Sequence, residues 1–221
     1  MEWPILAGLS EADRRKLLAT VARRRFGRGE VLFHQGDPGD TVHLIGSGQV
    51  AVRVLTPRGD VATLAMVGAG DTVGELSVLP GGYSRTATVV AVIQTETLSI
   101  SRARLEIIRR ENVTVDHFFL ELLARRIQSL DALLAEALFL PAETRVIRRL
   151  VEIAALGGSI GAAAMVNLTQ DDLASLAGTS RETVNRVLGV AEKAQLLKRH
   201  RGRIEMLNVR ELHRMAKLTP L

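Results

Sequence analysis

The 221-residue chain contains no cysteine. That excludes disulfides, a thiol nucleophile, thiol-based redox sensing and cysteine-ligated iron–sulfur clusters in one step. Histidine is sparse: His34, His43, His117, His200 and His213 are too scattered for a metal-ligand pattern, so no metal is expected. No serine or aspartate stands in a recognisable nucleophile motif, so neither catalytic residues nor enzymatic activity are expected. Low-complexity tracts are missing. Apolar runs are cut by charge or glycine well short of the roughly 20 residues that span a bilayer. The opening "MEWPILAGLSEADRRK" lacks a basic segment ahead of an apolar stretch. The expectation is a cytoplasmic protein with no membrane association.

What is present fits an ordinary folded chain: 47% of residues are hydrophobic and 24% charged. The length favours two domains over one. The formal charge is +5, and its placement says more than its total. Residues 141–221 hold 13 of the 29 Lys and Arg but only 8 of the 24 Asp and Glu, whereas residues 1–140 are balanced at 16 each. A basic C-terminal third suits a partner rich in phosphate, although such an excess is also what a solvated surface looks like.

From Phe26 to Ile100 short β-branched segments ("EVLFH", "TVHLI", "QVAVRVL", "VATLAMV", "TATVVAV", "QTETLSI") alternate with turn signals such as Gly36-Asp37-Pro38-Gly39-Asp40 and Gly68-Ala69-Gly70-Asp71. Strands at this spacing predict an antiparallel barrel or jelly roll. A helix precedes it, with Ser10 as N-cap and Leu17, Leu18 and Val21 inward. From Asn112 the period becomes helical. Leu120, Leu123, Ile127, Leu130, Leu134 and Ala137 follow spacings of 3, 4, 3, 4 and 3, the narrow seam of a coiled coil, while Arg125, Arg126 and Asp131 keep the flanks polar. The pattern favours a dimer helix over one packed on its own domain. Pro141 in "FLPAE" then marks a hinge.

Residues 169–192, "TQDDLASLAGTSRETVNRVLGVAE", have the spacing of a helix-turn-helix. Thr169 and Asp172 form a capping box for a first helix with Leu173, Leu176 and Ala177 inward; Gly178 permits the turn, and Ser180 caps a second helix with Val184, Val187 and Leu188 inward. The second helix exposes Arg181, Glu182, Asn185 and Arg186 near its start. There an arginine can bridge guanine O6 and N7, and a glutamate can accept from cytosine N4. The following "LLKRHRGRIEML" reads as a hairpin turning at Arg201-Gly202, a wing that places Lys198, Arg199, Arg201 and Arg203 near phosphates.

The stretch "GELSVLPGGYSRTATV", residues 74–89, is the other candidate site. A glycine-flanked loop leading into a short helix offers backbone N–H groups to an anion, Arg85 supplies a two-pronged cation and Thr86 a hydroxyl. The plainer reading is that Glu75 and Arg85 pair across the loop and hold it closed.

Taken together, "FGRGEVLFHQGDPGDTVHLIGSGQVAV", "GELSVLPGGYSRTATV", "LLARRIQSLDALLAEALFL" and "SRETVNRVL" resemble the cyclic AMP receptor protein (catabolite activator) family of bacterial transcription regulators, within the CRP/FNR superfamily. The resemblance implies an α+β chain: an N-terminal cyclic-nucleotide-binding β-barrel (jelly roll) over residues 1–111, a long dimerisation helix over 112–138 and a C-terminal winged helix-turn-helix over 139–221. It implies a homodimer that binds double-stranded DNA under the control of a cyclic nucleotide, with RNA polymerase as a further partner. In the family the glutamate matching Glu75 holds the ribose 2′-hydroxyl. Gly74, Leu76, Ser77, Arg85 and Thr86 complete the phosphate cup, and the residue matching Arg126 reaches toward that glutamate. By the same similarity Arg181, Glu182 and Arg186 read a TGTGA-like half-site, with Thr169, Gln170, Ser180, Asn185, Arg201 and Arg203 completing the DNA-binding set.

One departure concerns the base. Where the best-known member presents a threonine and a serine to adenine, this chain has Leu130 and Asp131. Leu130 falls on the dimer seam; Asp131 can accept from adenine's amino group, or from guanine N1 and N2 together. Cyclic AMP is the favoured ligand and cyclic GMP a possible one. The lack of histidine between residues 44 and 116 sets the chain apart from haem-sensing relatives. An effector-independent regulator of the same fold, or one sensing another small molecule, is the alternative.

Overall fold

A computed structural model describes residues 11–19, 21–57, 59–79, 81–82, 84–156 and 163–216. The expected cap Ser10, the side chain of Leu17, and Pro80 lie outside the described part. Helix α1 (Glu11–Leu18) precedes the strands as expected, but Leu18 is exposed rather than inward, and Val21 makes the contact with the core.

The first compact unit comprises the described residues up to Val54 together with Val67–Asp131. Its framework is two antiparallel sheets, the jelly-roll arrangement. One has the order β1 (Ala22–Phe26), β8 (Thr95–Ser101), β3 (Thr41–Ser47), β6 (Thr72–Val73); the other β2 (Val31–Phe33), β7 (Thr88–Ala91), β4 (Gln49–Leu55), β5 (Val61–Gly68). Alternation fixes the register: Val42 pairs with Ile100 and Leu44 with Leu98, so apolar side chains share one face. Beneath them lie Leu105 and Ile108 of α2 (Arg102–Glu111) and Val115, Phe118 and Phe119 of α3 (Val113–Phe139).

Helix α3 is therefore anchored at its start and bare further on. Leu120, Ile127, Leu130 and Leu134 are all about 60% exposed, aligned on one stripe. The helix ends at the expected break, and α4 (Ala142–Leu156) begins directly after Pro141.

The second unit comprises Leu55–Met66 and the described residues from Ala132 onward. Helix α4 buries Val146, Ile147, Leu150 and Val151 against α5 (Gln170–Ala177), α6 (Arg181–Lys193) and α7 (Val209–Met215). A small sheet of order β10 (Leu197–His200), β11 (Arg203–Met206), β9 (Ala164–Val166) closes it. The helix-turn-helix forms as the caps dictate. Thr169 accepts from Asp172 N and the Asp172 carboxylate accepts from Thr169 N; Gly178 adopts φ 59°, and Ser180 accepts from Thr183 N. Met66, in the later half of β5, packs on this core, and Thr63 Oγ1, from the same strand, donates to Asp172 Oδ1 at 2.8 Å.

Candidate ligand cavity and nucleic-acid interface

The segment between β6 and β7 folds back on itself and packs against the β2–β3 loop because a glycine on each side permits close approach. A Cβ on Gly39 would collide with the Ser77 side chain, and one on Gly82 with the Leu76 carbonyl. Val78 N and Leu79 N both donate to Glu75 O, so the short helix expected here is instead a single turn. Behind the loop, Nη2 of Arg102 donates to the carbonyls of Gly39 (2.8 Å), Gly82 (2.7 Å) and Ser77. One guanidinium thus gathers three strands of loop backbone. Its role left no signature in the sequence.

Gly74, Glu75, Leu76, Ser77, Arg85, Thr86 and Arg126 line one cavity of about 40 Å³, together with Phe33, Val52, Val73, Ala87 and Val89. Arg85 is 3% exposed. Its Nη1 donates to Ser77 Oγ (2.8 Å) and Gly74 O (3.1 Å), its Nη2 donates to Thr41 Oγ1 (2.8 Å), and the Phe33 ring lies 4.0 Å beneath. Burial pulls its pKa below the ordinary value, with Asp40 and Asp37 opposing, yet a guanidinium stays cationic. Its buried Nε has no hydrogen-bond partner.

Glu75 does not pair with Arg85. Arg126 Nη1 stands 2.6 Å from Glu75 Oε1, and Arg126 Nη2 donates to Thr72 O. The ion pair is close but poorly angled, so neither oxygen of this carboxylate, on a residue only 1% exposed, meets a well-aligned hydrogen-bond donor, although Arg126 and the residue's own backbone N–H still favour its charged form. Burial raises the Glu75 pKa above the usual range, opposed chiefly by Arg126. Leu130 and Asp131 do not line the cavity; both are exposed on α3.

A larger hollow of about 530 Å³ is lined by Pro38, Gly39, Asp40, Val78, Gly81, Arg102, Glu106 and Arg109. Its arginines are already engaged, Arg102 by three carbonyls and Arg109 by Asp116, which leaves the smaller cavity as the better ligand site. Among the described residues no group of His, Cys, Asp or Glu is gathered as a metal site, and no helix is long and apolar enough to cross a membrane.

In the second unit Arg181, Glu182, Asn185 and Arg186 lie exposed along α6, with Ser180 and Thr169 at the helix starts and Gln170 partly exposed beside Thr169. Arg201 and Arg203 are exposed at the β10–β11 turn; Arg199 is exposed too, but is engaged by Glu192, to which its Nε and backbone N donate. Arg145, which sequence reasoning passed over, donates to the carbonyls of Leu140, Ala177 and Gly178 and so ties the end of α3 to the end of α5.

Residues 23–112 match the cyclic nucleotide-binding domain and residues 144–215 the Crp-like helix-turn-helix domain. Over 213 residues the chain is 33% identical to the cyclic AMP receptor protein of Thermus thermophilus, covering 96% of each. The chain belongs to the cyclic AMP receptor protein family. Another member, the CRP-like cAMP-activated global transcriptional regulator of Mycobacterium tuberculosis, is 34% identical over 166 residues, 74% of each chain. The solved structure of the c-di-GMP responsive global regulator CLP of Xanthomonas campestris shares the fold, with a TM-score of 0.72 at 23% identity over 90% of this chain and 100% of that one. As a family member the chain is a DNA-binding, cyclic-nucleotide-binding transcription regulator, in a family of regulators rather than enzymes.

Proposed function

We propose that the protein is a homodimeric regulator controlled by cyclic AMP, bound in the cavity that Glu75 and Arg85 share, and that it reads a palindromic TGTGA-like site. The observation that carries the ligand half is the pair of buried, oppositely charged groups with unused hydrogen-bonding capacity facing one cavity: the Glu75 carboxylate and Arg85 Nε. Buried polar atoms left without a hydrogen bond are costly, and a ribose hydroxyl and a cyclic phosphate would give each group the partner it still lacks. Glu75 accepts from the 2′-hydroxyl; Arg85, Ser77 and Thr86 hold the phosphate. A cavity of about 40 Å³ is far too small for a nucleotide, so entry requires the exposed Leu76 and the partly exposed Arg126 to swing outward. Because Arg126 is both Glu75's counter-ion and a residue of the long helix, that movement would be felt along α3.

The bare stripe of α3 supports a partner helix from a second copy, with two recognition helices then meeting successive major grooves. RNA polymerase is a further partner by family resemblance. By the family resemblance the base would be met by Leu130 and Asp131, which lie outside the cavity in the single chain and would reach it only once the ligand is bound: the first offers no polar contact, the second an acceptor. Calorimetric titration of the purified protein with cyclic AMP and with cyclic GMP tests the reading. Binding of cyclic AMP tighter than cyclic GMP is expected; tighter cyclic GMP reverses the ligand assignment, and heat from neither, up to about a millimolar, points to the effector-independent alternative.

A further inference from the structure

The exposed face of α6 is not left to find its own conformation. Arg186 Nη2 donates to Glu143 Oε1 at 2.8 Å, and Arg181 Nη1 stands 3.5 Å from Asp171 Oδ2. Each arginine of the recognition helix is thus faced by a carboxylate from a different neighbouring helix, α4 or α5. The Glu143 pair is the closer one, and its frame is rigid. Two residues further along α4, Arg145 is bonded to the carbonyls of Ala177 and Gly178 at the end of α5, so the turn that carries Glu143 is fixed to the turn that launches α6.

We propose that Glu143 is a positioning residue for base recognition, holding the Arg186 guanidinium in the orientation from which it meets the DNA. In water the pair does little, since the side chains are 61% and 48% exposed and surface ion pairs are weak. Covered by a duplex, it changes character. Water leaves, the effective dielectric falls, and a carboxylate near phosphates becomes tolerable only while a cation remains against it. Arginine conformers that abandon Glu143 are then disfavoured. The conformer that keeps it spends one of five N–H groups and retains enough donors to bridge two acceptors on a base edge.

Positioning and charge have opposite signs here, which makes the assignment testable; it rests on Arg186 being a base-reading residue. The full-length protein, saturated with the nucleotide it binds, is titrated at fixed salt with three duplexes: the tightest one it selects from a randomised pool, the same duplex with single base-pair changes, and a scrambled one. Arg186→Ala first identifies the base pair that Arg186 reads, as the position where discrimination collapses. Glu143→Gln is expected to bind the scrambled duplex about two- to threefold more tightly, because one repulsive charge is gone. The same variant is expected to lose about tenfold in discrimination at that base pair, within the range of a two-pronged base contact. Glu143→Asp keeps the charge but shortens the reach, so it should lose discrimination without the gain on the scrambled duplex. Undiminished discrimination in both Glu143 variants would overturn the proposal while leaving base reading by Arg186 intact. Should Arg186→Ala relax no position, base reading and the proposal fall together.

Discussion

His43 sits 6% exposed between the rings of Phe26 and Phe33, with Nδ1 hydrogen-bonded to Thr97 Oγ1 at 3.1 Å. Burial first, then the charges of Arg85 and Arg24, lowers its pKa to about 4, with Asp40 opposing. An unfolded histidine titrates near 6.5, so between pH 4 and 6.5 the unfolded chain binds the extra proton. The His43 contribution to stability is therefore fully present above pH 6.5 and is lost on acidification, by up to about 1.4 kcal/mol per pH unit. Denaturant titrations across that range should show the slope in the unaltered protein and not in His43→Asn; the same slope in both would place the acid sensitivity elsewhere. Glu75 has the opposite sign. Its folded pKa is raised, so its burial costs stability as pH rises above its ordinary value. Of the residues at the cavity, Arg85 and Thr86 were legible from their chemistry in a glycine-rich loop, and Glu75 only through the family resemblance. Arg102 was not, because bonds to main-chain carbonyls such as those of Gly39, Ser77 and Gly82 involve no partner side chain that a sequence can display.

At the scale of elements, the strands with alternating apolar residues could be read directly, and so could the helix-turn-helix, whose signals are local: Thr169, Asp172, Gly178 and Ser180 each act within a few residues. Strand β1, "ARRRF", was missed because it is an exposed edge strand with three arginines and no alternation. Strand β6 is two residues long and owes its conformation to pairing with His43 and Leu44. Helix α2 follows a strand without a break, its only herald being Ser101, whose side chain accepts from Arg104 N. The loop between β6 and β7 depends on close main-chain approach as well as on its side chains. Gly82→Ala should force a Cβ against the Leu76 carbonyl, abolish nucleotide binding by calorimetry and cost about 1 to 3 kcal/mol of stability, as overpacked sites do. Binding at undiminished affinity would mean that the loop relaxes freely and that its glycines are not what shape it.

For the whole molecule, the proposed dimer gives the plainest expectation. Leu130 lies mid-stripe and is 63% exposed in the single chain, so Leu130→Asp costs the protomer little while placing a carboxylate in the seam. Sedimentation should find monomers at concentrations where the unaltered protein is dimeric; a persistent dimer would move the interface away from α3. The sequence suggested boundaries near residues 111 and 138, places where periodicity changes. Contact geometry groups the chain otherwise, because residues 55–66 are neighbours of the C-terminal helices in space and not in order, which no local pattern can reveal.

That grouping has a practical result for dissecting the protein. The main chain passes between the two units three times, after Val54, after Met66 and after Asp131, so the C-terminal unit is not one continuous length of polypeptide. A fragment expressed from Ala132 onward would lack Met66 from its core and the Thr63 hydroxyl that Asp172 accepts from, and it would be a poor proxy for the DNA-binding half of the intact chain.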